Sequence, residues 1–178
     1  QQFTRCEVVI VDDCSSDSTA RIAKTYAEKF AYVKYIRNPK RSGAGVSRNV
    51  GLSIATGEYI IFLDSDDQLI GNCLSEIGQE IDAKPEVEVF VGKWISDDGK
   101  TTNQELFVFN KITDNISPDE LIAHINRIDY KPDVCWHYVI KKQFLDRHDI
   151  RFQPIKVGED QAFTAIVLCS MSSVGLLE

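Results

Sequence analysis

Two apolar runs in this chain each end in carboxylates. Glu7-Val8-Val9-Ile10-Val11 leads into Asp12-Asp13, and Tyr59-Ile60-Ile61-Phe62-Leu63 leads into Asp64-Ser65-Asp66-Asp67. A short continuous apolar run reads as a strand buried on both faces, the condition met in a parallel sheet covered by helices. In such sheets ligands bind beyond the carboxyl ends of the strands, where the loops converge. Both acidic clusters are therefore expected on one rim.

The intervening segments support that layout. Ala23, Tyr26, Ala27 and Phe30 recur at helical spacing after the polar loop at Asp13–Asp17. Val33–Arg37 reads as a strand ended by Asn38-Pro39. Ser42-Gly43-Ala44-Gly45 opens a helix that carries Val46, Val50, Ile54 and Ala55, and Gly57 ends it. Leu69, Cys73, Leu74, Ile77 and Ile81 mark a further helix before Pro85.

Strand–helix alternation up to Pro85 predicts an α/β fold with a mostly parallel central sheet flanked by helices. The second half reads as mixed. A strand is expected over Val87–Ile95, a turn at Asp97–Lys100 and an antiparallel return at Glu105–Phe109. Ser117-Pro118-Asp119-Glu120 carries a capping box with proline at the first helical position, and its helix should reach about Arg127. A helix near Lys141–Arg147, a short strand at Ile150–Phe152 and a helix over Glu159–Cys169 complete the expectation. The 178 residues suit one domain.

Charge narrows the function. The net formal charge of −7 argues against nucleic acid as a partner, while an acidic cleft can concentrate a divalent cation. Clustered carboxylates repel one another unless cations or donors compensate. A metal with oxygen ligands is one compensator, and its remaining positions would take phosphate oxygens. The plainer alternative is that acidic residues follow strands because loops are polar. The restrictive pattern of a buried strand followed by Asp64-x-Asp66 favours the metal reading.

Arg48 lies where a glycine-rich turn meets a helix, and amides at that start could face a phosphate. Gly158-Glu159-Asp160 opens the last helix; Asp160 could be a cap or a general base, and spacing does not separate the two. His124, His137 and His148 are scattered, and Trp94 and Trp136 default to packing. The five cysteines show no C-x-x-C pair; buried reduced thiols and a cytoplasmic compartment or its membrane face are expected. No stretch approaches the roughly 20 apolar residues that span a bilayer, and the first residues lack a signal-peptide layout.

Taken in order, these segments resemble the family 2 glycosyltransferases with the Rossmann-like GT-A fold. The resemblance rests on Val9–Thr19, on Ser47-Arg48-Asn49-Val50-Gly51-Leu52, and on Ala55–Asp67. It continues through Trp136, Lys141–Leu145, Ile150-Arg151-Phe152 and Gly158–Phe163. It implies transfer of a sugar, with inversion, from a nucleoside diphosphate sugar (UDP-linked by preference) to a glycan or lipid-linked acceptor. Asp13 would bind the base of the nucleotide, with Asp64 and Arg48 completing the nucleotide site. Asp66 would hold Mn2+ or Mg2+, and Asp160 would be the catalytic base.

Residues 1–95 would form the nucleotide-binding half of the single domain and 96–178 the acceptor-side half. A peripheral site at the inner face of the plasma membrane and a homodimer are compatible with the resemblance. One departure stands out. The family's opening strand ending in P-x-Y-N, and the helix after it, have no counterpart ahead of Phe3-Thr4, so two strand edges should lack a neighbour. A catalytically silent sugar-nucleotide or glycan-binding module, or an inactive fragment, is the alternative reading. A metal-dependent phosphatase fits worse, because Gln68 stands where its D-x-D-x-T order needs threonine.

Overall fold

The computed structural model describes residues 4–92, 117–127 and 134–177, with backbone alone for 124–127. The elements run β1 (Val8–Asp12), α1 (Thr19–Lys29), β2 (Val33–Arg37), α2 (Ala44–Ile54), β3 (Tyr59–Ile61), α3 (Cys73–Ala83) and β4 (Val89–Val91). Then follow α4 (Pro118–Arg127), a 3-10 turn at Cys135–His137, β5 (Tyr138–Lys141), α5 (Lys142–Arg147), α6 (Glu159–Ser170) and β6 (Val174–Leu176). The turn at Asp97–Lys100, the return at Glu105–Phe109, Trp94 and the side chain of His124 lie outside the described residues.

The strands form a parallel pair and a mixed sheet. β1 and β2 run parallel with Val8 opposite Val33 and Asp12 opposite Arg37. The second sheet has the order β3-β5-β4-β6, with β5 antiparallel to both β3 and β4, and β6 parallel to β4. Among the described strands, β1 has β2 as its neighbour and β3 has β5. The two acidic clusters thus leave different sheets.

What ties the sheets together is α2 and the loop after it. Gly51 lies against Val9 and Val11, so the helix seats closely on β1. The Glu7 carboxylate, at the entry to β1, accepts hydrogen bonds from Thr56 Oγ1 at 2.9 Å and the Gly57 amide at 2.9 Å, at the entry to β3. It also receives the Thr56 amide and pairs with Lys34. Burial pushes this carboxyl up, yet those donors outweigh it and hold it down at about 2.

The core is built on the mixed sheet. Val89, Ile140, Tyr138, Phe144, Phe163 and Val167 are all at or near zero exposure within one cluster. Phe90 points to the opposite face with Val87 and Val139, as strand alternation requires. Opposite Phe90 in register stands Gly175, where a Cβ would come within 2.6 Å of the Phe90 ring. The ring occupies the space a side chain would need.

Several expectations change. β1 is half-buried rather than buried on both faces, with Val8 exposed. α3 starts at Cys73 and leaves Leu69 outside it. Ile150–Phe152 does not pair as a strand. Its polar backbone is instead satisfied by Asn49, whose Nδ2 donates to the Phe152 carbonyl at 2.8 Å and whose Oδ1 accepts from the Phe152 amide at 2.9 Å. The cysteines are free as expected, but Cys135 is the buried one; Cys6, Cys14 and Cys73 are partly exposed and Cys169 is exposed. Among the described residues no helix is long and apolar enough to cross a membrane.

Candidate active site

The site is assembled around the first turns of α2. Gly43 caps this helix with φ at +91°, a conformation glycine reaches without strain. Gly45 sits where a Cβ would come within 3.2 Å of both Glu159 and Phe152, so the glycines let α2 approach the start of α6. That closeness brings Arg48 to the carboxylates.

Arg48 makes two ion pairs. Its Nη2 donates to Asp64 Oδ1 at 2.6 Å and its Nη1 donates to Asp160 Oδ1. Glu159 stands 4.0 Å from Nη1. The guanidinium lies 5.3 Å from the centre of the Phe152 ring. Beneath it Phe152 stacks on Phe163 at 4.0 Å, and Phe62, just before Asp64, meets both edge-on at 5.1 Å and 5.6 Å. An aromatic floor on one side lowers the local dielectric and strengthens the ion pairs above it.

Asp160 is not the cap of α6. Gly158, in the left-handed region, takes that position, and the Asp160 side chain turns to Arg48. Burial raises its pKa above the ordinary carboxylate value, with Asp64 and Glu159 adding to the rise. The Arg48 guanidinium opposes that rise. A carboxylate with a raised pKa suits general-base work.

Asp13 sits at the other side of the α2 start. Its Oδ1 accepts from Asn38 Nδ2 and the Ser42 amide at 2.8 Å each, and its Oδ2 from the Gly43 amide at 2.8 Å. Burial raises its pKa, but these donors together bring it below the ordinary value. Asn38 Nδ2 also reaches Ser47 Oγ at 3.0 Å, and Ser47 precedes Arg48. Amides that could have faced a phosphate are thus engaged by Asp13.

Asp12 plays a bracing part. It is buried and accepts from the Ser15 amide at 2.7 Å, Tyr35 Oη at 3.0 Å and Arg37 Nη1 at 2.7 Å.

Protein donors therefore compensate Asp12, Asp13, Asp64 and Asp160. Asp66 and Asp67 differ, for both are exposed. Burial and the neighbouring charges of Asp64 and Asp66 push the Asp67 pKa up. An exposed carboxylate loop with mutual repulsion fits a cation ligand in Asp66, although among the described residues no three such groups form a preset cage.

Other candidates are set apart by the structure. His137 is buried, Trp136 stacks edge-on upon it at 4.2 Å, and His148 packs on Phe144 at 5.1 Å. Asn38 and the aromatic floor were not singled out as site residues from sequence. Asn38-Pro39 carried only a turn signal.

Comparison with known proteins bears on this arrangement. The model for glycosyl transferase family 2 matches residues 1–148. The chain belongs to that family.

Relatives of this family 2 chain include two from Staphylococcus aureus. The poly(ribitol-phosphate) beta-N-acetylglucosaminyltransferase TarS is 30% identical over 98% of this chain and 29% of its own length. The corresponding TarP enzyme is 33% identical over 90% of this chain and 47% of its own length. The crystal structure of S. aureus TarS in complex with UDP matches at 31% identity and a TM-score of 0.82, covering 99% of this chain and 50% of that one. A complex of the same protein with UDP-GlcNAc gives the same TM-score of 0.82. The fold of this family 2 chain is thus GT-A, as expected, and the chain spans half or less of the length of these relatives.

Proposed function

We propose that this chain forms the donor-binding and catalytic part of an inverting glycosyltransferase. It moves a sugar from a nucleoside diphosphate sugar, UDP-linked by preference, to a hydroxyl of a glycan or lipid-linked acceptor. The observation that carries the reading is Arg48, which joins Asp64 at the exit of β3 to Asp160 at the start of α6. Support for a UDP-linked donor comes from the relative bound to UDP and UDP-GlcNAc.

In this reading Asp13 and its neighbours shape the pocket for the base. Arg48 is drawn to the diphosphate and balances the negative charge that grows on it as the glycosidic bond breaks. Asp160 takes the proton of the attacking hydroxyl. One displacement on the face opposite the leaving group inverts the anomeric carbon. Asp66 would hold Mn2+ or Mg2+, which would supply further neutralisation of the diphosphate when bound. Residues 1–95 would serve the donor and residues 96–178 the acceptor, at the cytoplasmic face of the plasma membrane.

Calorimetry with UDP-GlcNAc and Mn2+ tests donor binding; absence of heat at millimolar ligand would refute it. Sugar transfer or donor hydrolysis that disappears in Asp160→Asn separates an enzyme from a silent binding module.

A further inference from the structure

We propose that Asn49 is a positioning residue for Arg48, its side-chain amide clamping the Phe152 peptide so that the Phe152 ring stays under the guanidinium that spans Asp64 and Asp160. The inference rests on the proposed function only for its catalytic consequence, that Arg48 serves the diphosphate. Asn49 follows Arg48 on α2 and is half-buried. Its Nδ2 donates to the Phe152 carbonyl and its Oδ1 accepts from the Phe152 amide, at 2.8 Å and 2.9 Å. Among the described residues no other group bonds to either atom of that peptide pair. A side-chain amide offers a donor and an acceptor side by side, which is what the N–H and C=O of one residue need.

What the clamp fixes is the floor of the site. The Phe152 ring is buried, lies 5.3 Å from the Arg48 guanidinium and stacks on Phe163 with only 3° between the planes. Phe163 stands three residues after Asp160 on α6, so the two share a face of that helix. Phe152 therefore bears on Arg48 directly and, through Phe163, on the turn that carries Asp160. The residues before it are held by α5: the Ile150 amide donates to the Leu145 carbonyl at 2.9 Å, and Arg151 Nη2 donates to Asp146 Oδ1 at 2.8 Å. Asn49 supplies the matching hold from α2. Gly45, one turn earlier on that helix, leaves a hypothetical Cβ only 3.2 Å from Phe152 Cβ, so the two segments meet at close range. A guanidinium that must reach Asp64 and Asp160 together tolerates little displacement of its support.

The test is 15N NMR of the 178-residue chain labelled in arginine, with the Arg48 guanidinium signals identified by their loss in Arg48→Lys. Two Nη groups on different carboxylates should give separate, slowly exchanging signals in wild type. Asn49→Leu has a similar volume with neither donor nor acceptor, and there the signals should merge into an averaged one. Gly175→Ala disturbs the core against Phe90 instead and should leave them separate. Separate signals in Asn49→Leu would overturn the proposal, and so would merging in Gly175→Ala as well, because general loosening would then account for both. Should leucine prevent folding, which thermal melting detects, Asn49→Ser serves the same comparison, since its short hydroxyl does not span both peptide groups. Where turnover is followed, kcat of Asn49→Leu should fall about 10-fold while that of Gly175→Ala stays within about twofold of wild type. Turnover unaffected by Arg48→Lys would remove Arg48 from the diphosphate site, yet the arginine signals would still decide whether Asn49 holds it.

Discussion

Arg48 and Asp160 are 112 positions apart in the chain and form an ion pair that closes the α2 start onto the α6 start. The same guanidinium holds Asp64 at 2.6 Å. One planar cation thus joins the exit of β3 to the first turn of the last helix, and its fork geometry meets two carboxylates at once.

Replacing Arg48 tests that geometry. Arg48→Lys keeps the charge but has a single nitrogen to share between Asp64 and Asp160. Turnover of UDP-GlcNAc should fall about 100-fold or more in Arg48→Lys and in Arg48→Ala, a loss of about 3 kcal/mol of transition-state stabilisation. A lysine variant of near-normal kcat would show that the bridge is not needed.

Asp66 is exposed and has a neighbour, Asp67, whose ionisation is already opposed by burial and by repulsion. Asp66→Ala should abolish the Mn2+-dependent part of UDP binding in calorimetry and leave the melting temperature within about 2 °C, since an exposed side chain away from the core contributes little to stability. Metal-stimulated binding that survives the substitution would reassign the ligand.

Glu7 predicts an acid-sensitive joint between the two sheets. Its pKa in the folded chain is held down at about 2, below the ordinary carboxylate value. A depressed pKa contributes stability that is present above the unfolded value and is lost as pH falls through the folded one. Wild type should therefore lose stability between about pH 4.5 and pH 2 more steeply than Glu7→Gln. At neutral pH Glu7→Gln should itself be less stable by about 1–3 kcal/mol, read from urea unfolding. Parallel pH profiles for the two chains would contradict this role.

Gly175 faces the Phe90 ring, with 2.6 Å between the ring and a hypothetical Cβ. Gly175→Ala should lower the melting temperature, at a cost of about 1–3 kcal/mol for an overpacked core. Phe90→Leu in the alanine background should recover part of the loss by opening the space. Equal stability of Gly175→Ala and wild type would show that β6 moves aside.

The helix starts were readable because their signals are local. The capping box at Ser117 forms as expected, with Ser117 Oγ donating to Glu120 Oε2 at 2.8 Å and accepting from the Glu120 amide at 3.3 Å. The turn glycines before α2 and the carboxylates after β1 and β3 were legible for the same reason. β5 and β6 were not. Tyr138–Lys141 is short and runs directly into α5, and Val174–Leu176 is three residues long with a glycine at its centre. Neither span is long enough to show a period.

The chain alone determined that strands and helices alternate up to Pro85, where α2, α4 and α6 begin and which strands end in acid, because such signals depend on residues a few positions apart. Only the tertiary structure decided that the two acidic clusters leave different sheets and are joined through α2. It also decided that Arg48 serves Asp64 and Asp160 together, over a floor made by Phe152. Such pairings bring distant positions together, and no local pattern encodes the partner of a side chain whose contact depends on how the whole core packs.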